Sequence, residues 1–538
     1  MVKKVFFRSM AVMTGLLLQF NLWAQEVPPV TLNVETAGTL SSLIDESQKY
    51  QITDLTLTGN LNGSDIRFIR DMAGSDLSGN ATNGKLSVLN LYKSNIVAGG
   101  SYYVVYSKYG YLYYTYNNSI SNEMFYNCNK LTNIILPNSV TAIAYTSFDG
   151  CTGLTSITIP DSVISVMTGA FSSGMGAFYG CTGLVEFIVS EQNQNFASVG
   201  GVLFDKNKTS IIRFPQDKSG TYTIPNDVTS IGSGAFSGCT GLTSITIPNS
   251  VNEIRYGAFS GCTGLTSITI PNSVTSIAGG AFNYCTELKN VTLEDGTSKL
   301  VFESESFPAY STSSSYYFSI FDKCPIENLY IGRYFTFGGY KRSFYTGTGI
   351  FYFSPFTMIT IQYDGYSTGS PIKNVTIGSN VGIYMCALAI SGLQEIHIKD
   401  PNPPYLTSIK TYANAYKTIT LTAFTNINSE VNKTFCKLYV PKGSKSAYQS
   451  AFEWKDFKNI IEEGDETAII SIENDNSRIK SIANGITIET KETMPVSVFN
   501  LRGQKVYQSV INGNTEIPLN KGVYIVNVNN RSEKVIIK

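Results

Sequence analysis

The stretch FSGCTGLTSITIPNSV occupies Phe236–Val251 and recurs without a change at Phe259–Val274, 23 residues on. Its centre, TGLTSITIP, also stands at Thr152–Pro160, and a partial copy, LTNIILPNSV, spans Leu131–Val140. Cysteines keep the same period, with 23 residues from Cys128 to Cys151, from Cys239 to Cys262 and from Cys262 to Cys285. Within a unit, Leu242, Ile245 and Ile247 set the pattern L-x-x-I-x-I-P. Its last two apolar residues alternate with period two, so they share one face of a short strand. Pro248 ends that strand, because proline has no N–H for a ladder. Val251 and Ile254 turn back inward, and Phe259 and Cys262 supply the far wall. One such unit cannot bury its own apolar face, whereas a stack of units buries them together.

The L-x-x-L-x-L core at a period between 20 and 29 residues is that of a leucine-rich repeat. The expected fold is mainly β: a leucine-rich-repeat solenoid over residues 101–463. Short parallel strands face one side, with turns and short helical pieces on the convex side. Between Cys151 and Cys181 the unit carries seven extra residues around Ser172–Ala177, and Phe196–Ile224 is a variant unit. Further strands are predicted at Ile326–Ile331, Ile372–Ile377, Leu393–Ile398 and Leu438–Val440. An amphipathic segment, Ser446–Phe457, would cap the open end with Tyr448, Phe452 and Phe457. Residues 25–100 read as the N-terminal cap and degenerate repeats, with a helix over Leu40–Lys49 and strands at Ile52–Leu57 and Leu86–Leu91. Residues 464–477 are polar and read as a linker. Residues 478–538 alternate in strands, with turn signals at Arg502-Gly503, Asn512-Gly513 and Lys521-Gly522, and form a small C-terminal all-β sandwich.

Residues 1–24 read as a signal peptide, with Lys3, Lys4 and Arg8 ahead of the mostly apolar Met10–Phe20 and cleavage after Ala24. The apolar run is too short to span a bilayer, and no later stretch is long enough, so no transmembrane span is expected after cleavage. Charged residues make up only 15% of the 538, and 40 basic residues balance 40 acidic ones. That argues against nucleic acid, which needs a concentrated basic field. Nine cysteines in an exported chain invite disulfides. Their recurrence at one position of the repeat instead favours a stacked column of small buried thiols.

The 23-residue unit, with A-F-x-G-C-x-x-L-x-x-I-x-I-P, resembles the BspA-type leucine-rich repeats of bacterial surface proteins over about Asn122–Glu463. The end of the chain, PVSVFNLRGQKVYQ followed by LNKGVYIVNV and KVIIK, resembles the sorting domain of type IX secretion over about Ile469–Lys538. The second resemblance implies passage across the outer membrane through the type IX machinery and an extracellular or surface-attached product. The first implies adhesion to host proteins or to other bacteria.

Chemistry is sparse. His397 is the only histidine, so any Ser–His–Asp or Cys–His site must centre on it. It lies between Ile396 and Ile398, outward on a predicted strand. No C-x-x-C, phosphate-binding glycine loop or EF-hand loop occurs. Carboxylates such as Glu303, Glu305 and Asp364 stand in unremarkable settings. No enzyme, cofactor or metal is expected. Two surfaces are candidates for partner binding. One is the outward strand position, which reads Ile135, Thr158, Ile188, Thr246, Thr269, Thr292, Tyr330, Thr376, His397 and Tyr439. The other is aromatic: Ser101–Tyr116 holds eight tyrosines, among them Tyr103, Tyr106 and Tyr113, and Tyr310–Phe318 and Tyr334–Phe353 are similarly rich. The expected function is adhesion to a host or bacterial surface protein through Thr158, Thr246, Thr269, Thr292, His397 and these tyrosines. Glycan capture for nutrient uptake is the alternative, with a secreted hydrolase behind it.

Overall fold

The computed structural model describes residues 28–106, 111–167, 176–303, 320–321, 323–338, 372–379, 381, 392–404, 410–413, 418–421, 424, 431–463, 477–482, 485–500, 504–528 and 531–537. The signal-like residues 1–24 and most of the 464–477 segment lie outside them.

In the unit that begins at Phe259, Ile268 and Ile270 are buried and Thr269 between them is exposed, as period-two alternation requires. This strand, Ser267–Ile270, pairs in parallel with Asn290–Leu293. Asn328–Ile331, Asn374–Ile377, Glu395–Ile398, Lys437–Val440 and Asn459–Glu462 follow, giving seven strands in chain order. An earlier six-stranded parallel sheet runs from Val30–Val34 through Asp54–Leu61, Val88–Ile96, Asn133–Ile135 and Ser156–Ile159 to Glu186–Val189. The N-terminal segment thus feeds its strands directly into the solenoid sheet. The residues that turn back inward build a second ladder on the far side. Ser230–Ile231, Glu253–Ile254 and Ser276–Ile277 pair in parallel, and Ser119–Ile120, Ala142–Ile143 and Ser165–Val166 do the same earlier. Among the described residues the helices lie towards the two ends of the stack, at Leu40–Leu43, Glu46–Lys49, Gly63–Met72, Lys445–Ser450 and the 3-10 turn Trp454–Asp456.

Two columns run through the core. Phenylalanine rings stack repeat on repeat, with centroids 4.9 Å apart for Phe236–Phe259, 5.1 Å for Phe259–Phe282 and 5.3 Å for Phe125–Phe148. Beside them five thiols donate to the phenylalanine carbonyl of the preceding unit: Cys151 to Phe125 (3.0 Å), Cys181 to Phe148, Cys262 to Phe236 and Cys285 to Phe259 (3.2 Å each), and Cys324 to Phe282 (2.9 Å). The Phe236 carbonyl also accepts the Cys239 amide at 3.1 Å, so the thiol of the next unit takes its second lone pair. A small apolar side chain with a weak donor is what that position accommodates. Eight cysteines are buried thiols outside any disulfide, and Cys386 lies outside the described residues. Burial pushes the thiols up, Cys128 to about 11 and Cys239 to about 12.

The stack has an internal wall. In the variant unit, Phe196–Val199, Val202–Asp205 and Ser210–Arg213 form an antiparallel meander. Leu203 packs into the core on its N-terminal side, while Val202 and Phe204 pack into the core on its C-terminal side. A strand covered on both faces needs a continuous apolar run, and Val202-Leu203-Phe204 is one. Buried Arg213 closes the gap in the columns by donating to the carbonyls of Phe178 (3.4 Å), Gly234 (2.5 Å) and Ser237 (2.9 Å).

At the open end Tyr448, Trp454 and Phe457 are buried, but Phe452, expected among the capping residues, is 59% exposed. The Ser446–Phe457 segment breaks after Ser450 into a turn, which rotates Phe452 away from the stack. The C-terminal residues form five strands, with Ser477–Ile482 pairing Gly485–Asn500, which pairs Lys505–Pro518 and Gly522–Val528, and Arg531–Ile537 at the end. Ile486, Ile488, Val496, Val498 and Val526 are at their core. Asn512-Gly513 is not a turn here. It lies inside Lys505–Pro518, where Gly513, at φ 79°, sits beside a shift in register opposite Thr490–Met494.

Candidate functional site

The register of the seven-stranded sheet aligns Thr269, Thr292, Tyr330, Thr376, His397 and Tyr439 as one row across six neighbouring strands, and Ile461 extends it to the seventh. Thr269 and Thr292 are thereby neighbours, and His397 lies on the same row three strands beyond Thr292, whereas Tyr439, expected to point outward, is buried. Thr246 stands apart on the pair Gly220–Thr223 and Leu242–Thr246. Thr158 lies in the earlier sheet, in the row Asn90–Ile135–Thr158–Ile188.

The C-terminal part of the long row is a polar network. The His397 ring stacks on Tyr439 with centroids 4.3 Å apart and planes 7° from parallel. Its Nε2 lies 3.5 Å from a Glu395 oxygen and its Nδ1 lies 3.6 Å from one of Glu463. The imidazole therefore faces two carboxylates and a phenol ring. Lys437 pairs with Glu395 at 3.1 Å, and that hydrogen bond raises the pKa of its amine. Two strands away, the Tyr330 hydroxyl donates to Asp295 at 2.6 Å and accepts from Lys399 at 2.8 Å. The Lys399 ammonium also sits 4.4 Å from the Tyr330 ring centre, within cation–π range. Burial, then the Asp295 bond, raises the Tyr330 hydroxyl, and the Tyr330 bond raises the Lys399 amine. Asp295 reaches Tyr330 by lying over Gly332 and Gly378. A Cβ on Gly378 would stand 2.6 Å from the Asp295 carboxylate, and one on Gly332 2.4 Å from its backbone nitrogen.

Beside this row runs a second, Ser267–Asn290–Asn328–Asn374–Glu395–Lys437–Asn459. Its asparagines form an amide ladder, Asn328 donating to Asn290 and Asn374 to Asn328, each at 2.8 Å. Sequence reading missed Asn328, Asn374, Asp295, Lys399 and Glu463. The asparagines recur one place before the inward residue, a signal that was available. Asp295, Lys399 and Glu463 join the network from strand ends and gave none.

The aromatic segment behaves differently. Gly99–Tyr106 and Tyr111–Thr115 pair as an antiparallel hairpin. Tyr103, expected at the binding surface, is fully buried and donates to the Asn122 carbonyl at 2.6 Å, and burial raises its hydroxyl pKa strongly. It is a core residue, because the hairpin's register turns it inward. Tyr113 is half-buried against the same core. The Tyr106 side chain lies outside the described residues, as do Tyr310–Phe318 and most of Tyr334–Phe353. Tyr111, Tyr114 and Tyr116 face outward instead, Tyr114 meeting Tyr102 edge to face at 6.2 Å.

Among the described residues no three His, Cys, Asp or Glu side chains are grouped to hold a metal ion, and no helix is long and apolar enough to cross a membrane.

A stacked, parallel-stranded solenoid in which each repeat adds one residue to an outward row defines a leucine-rich-repeat protein. The particular kind follows from the comparisons. Residues 118–174 and 218–315 match the BspA type leucine rich repeat region in six copies, and residues 482–538 match the secretion system C-terminal sorting domain. The chain carries BspA-type repeats and a sorting domain of the type IX pathway, and it is an exported protein attached to the cell surface. Similar solved structures include a leucine-rich repeat protein from Eubacterium ventriosum, at 18% identity over 71% of this chain and 88% of that one (TM-score 0.36). The pneumococcal vaccine antigen PcpA is similar at 18% identity over 78% and 82% (TM-score 0.36). A leucine-rich repeat protein from Bacteroides ovatus is similar at 24% identity over 53% and 65% (TM-score 0.28). No curated protein matches the chain.

Proposed function

We propose that this protein is a non-enzymatic adhesin of the cell surface, which holds a macromolecule of another cell or of a matrix against the strand faces of its solenoid. The observation that carries the reading is the unbroken in-register row from Thr269 to His397, whose ring covers the buried Tyr439. Repeat proteins bind along such extended faces, where each unit adds one contact. The same position in the earlier sheet presents Ile135, Thr158 and Ile188, with Tyr92 and Val185 exposed nearby, and suits a protein partner. The one imidazole supports a binding role, since its nitrogens face Glu395 and Glu463 rather than a nucleophile to be activated. The sorting domain is the part that engages the export machinery, and the signal segment is the part removed in that passage.

The test is a binding screen of the mature chain on immobilised matrix proteins, whole cells and a glycan array. Thr269→Lys with Thr292→Lys on the strand face is expected to lower binding, while Asn252→Lys on the far side leaves it unchanged. Binding that responds equally to both changes, or no saturable binding, refutes the proposal.

A further inference from the structure

We infer that the C-terminal strand face is a site for a neutral, extended polysaccharide, seated over Thr376 between Tyr330 and His397. The inference rests on the reading of the strand face as the binding surface and names its ligand class.

Three observations lead there. Charge comes first. The ionic groups of this strip are paired with one another, Lys437 with Glu395, and Lys289 and Lys373 with Glu327, while the His397 nitrogens lie against Glu395 and Glu463. A charged polymer would have to break these pairs, whereas a neutral one leaves them in place. Shape comes second. Tyr330, Thr376 and His397 stand on successive strands, so the small threonine lies between two ring-bearing residues whose backbones are about 10 Å apart, or two strand spacings. Lys399 closes one side through its bond to the Tyr330 hydroxyl, and the Asn328–Asn374 pair borders the other. Chemistry comes third. Ring systems with a polar tip pack on the apolar C–H faces of sugars while hydroxyls and amides bond to sugar hydroxyls. In the Asn290–Asn328–Asn374 ladder each inter-residue bond uses one amide hydrogen and one oxygen lone pair, so donors and acceptors remain for a ligand. The strands repeat at about 4.8 Å, and an extended β-linked hexose chain advances by a similar distance per ring, so successive sugars meet successive strands. Among the described residues from Asn290 to Lys399, no large apolar side chain of these strands is exposed, unlike the earlier face with Ile188 and Val185.

The experiment titrates the mature chain with a soluble neutral β-glucan, a neutral β-mannan and a sulfated glycan of similar length, by affinity electrophoresis and calorimetry. At least one neutral polymer is expected to bind, with little dependence on salt. Thr376→Trp puts a bulky ring at that position and is expected to weaken binding roughly tenfold or more. Tyr330→Ala does the same and Tyr330→Phe keeps most of it, while Thr158→Trp on the earlier face has no effect. Unchanged melting temperatures show that the variants fold. A preference for the sulfated glycan that collapses with salt overturns the inference. So does failure of every neutral polymer while Thr376→Trp abolishes binding to a protein partner, a result that leaves the adhesin reading standing. Loss of binding to every partner tested removes both.

Discussion

Replacing Phe259 by alanine removes a ring that is fully buried and stacked on both sides, against Phe236 at 4.9 Å and Phe282 at 5.1 Å. Truncating a buried phenylalanine costs about 3–5 kcal/mol, because transfer energy is lost and the cavity relaxes only in part. Stacked pairs add about 0.5–1.5 kcal/mol each beyond their area. Two such pairs, in a column pinned from both sides, put Phe259→Ala at the upper end, about 5 kcal/mol. The control is Phe452→Ala, at a residue 59% exposed, where the change stays within about 0.5 kcal/mol. Urea unfolding of the purified chain measures both. Hydrogen exchange then locates the loss, since a solenoid's stability is the sum of its units and their neighbour interfaces. Amides of the units around Phe236–Val274 should lose protection, and those before the Val202–Asp205 strand should keep theirs. A cost below about 1 kcal/mol, or an equal loss of protection on both sides of that strand, would refute the reasoning.

Three further outcomes are expected. The column thiols, such as Cys239 and Cys262, should resist alkylation in the folded protein and react fully in denaturant, because burial hides them and raises their pKa; mass spectrometry reads both states. Burial, then the charge of Asp149, pushes Glu123 from 4.5 to about 7, and burial pushes Asp149 from 3.8 to about 6. The folded state holds more protons than the unfolded one in those windows, so both groups erode stability as pH rises from about 4 to about 7. Glu123→Gln should therefore be more stable than the parent above pH 7 and show a flatter pH profile in thermal melts; a steeper one would reverse the sign. Tyr103→Ala should cost about 3–5 kcal/mol as a core truncation, whereas Tyr116→Ala, at an exposed ring, should leave the melting temperature nearly unchanged.

The regular units were legible because their copies are identical, so one strand pattern predicts all of them. Legibility fell wherever burial is decided by a distant partner. The alternation in Ser101–Tyr116 announced paired strands, but which tyrosines face the core depends on register, and a slip of one residue inverts every side chain. The helix Gly63–Met72 went unread because it opens on Gly63. Its start is marked only by Asn62 and Asp65, which form a capping box with aspartate in place of the usual glutamate. In the binding row, Thr269, Thr292 and His397 could be aligned from the repeat. Glu463, the partner of His397, lies 66 positions away in the chain and past the last strand, and only folding brings it near.

The strand Val202–Asp205, buried on both faces, has a bearing on how such a protein changes over generations. The two identical sixteen-residue copies at Phe236–Val251 and Phe259–Val274 have the form left by a tandem duplication. An added or deleted unit there lengthens or shortens one core, while Leu203 and the residues on its side keep their neighbours. The gene can thus alter the reach of its distal half by whole units of 23 codons, and the proximal half inherits no packing defect from the experiment.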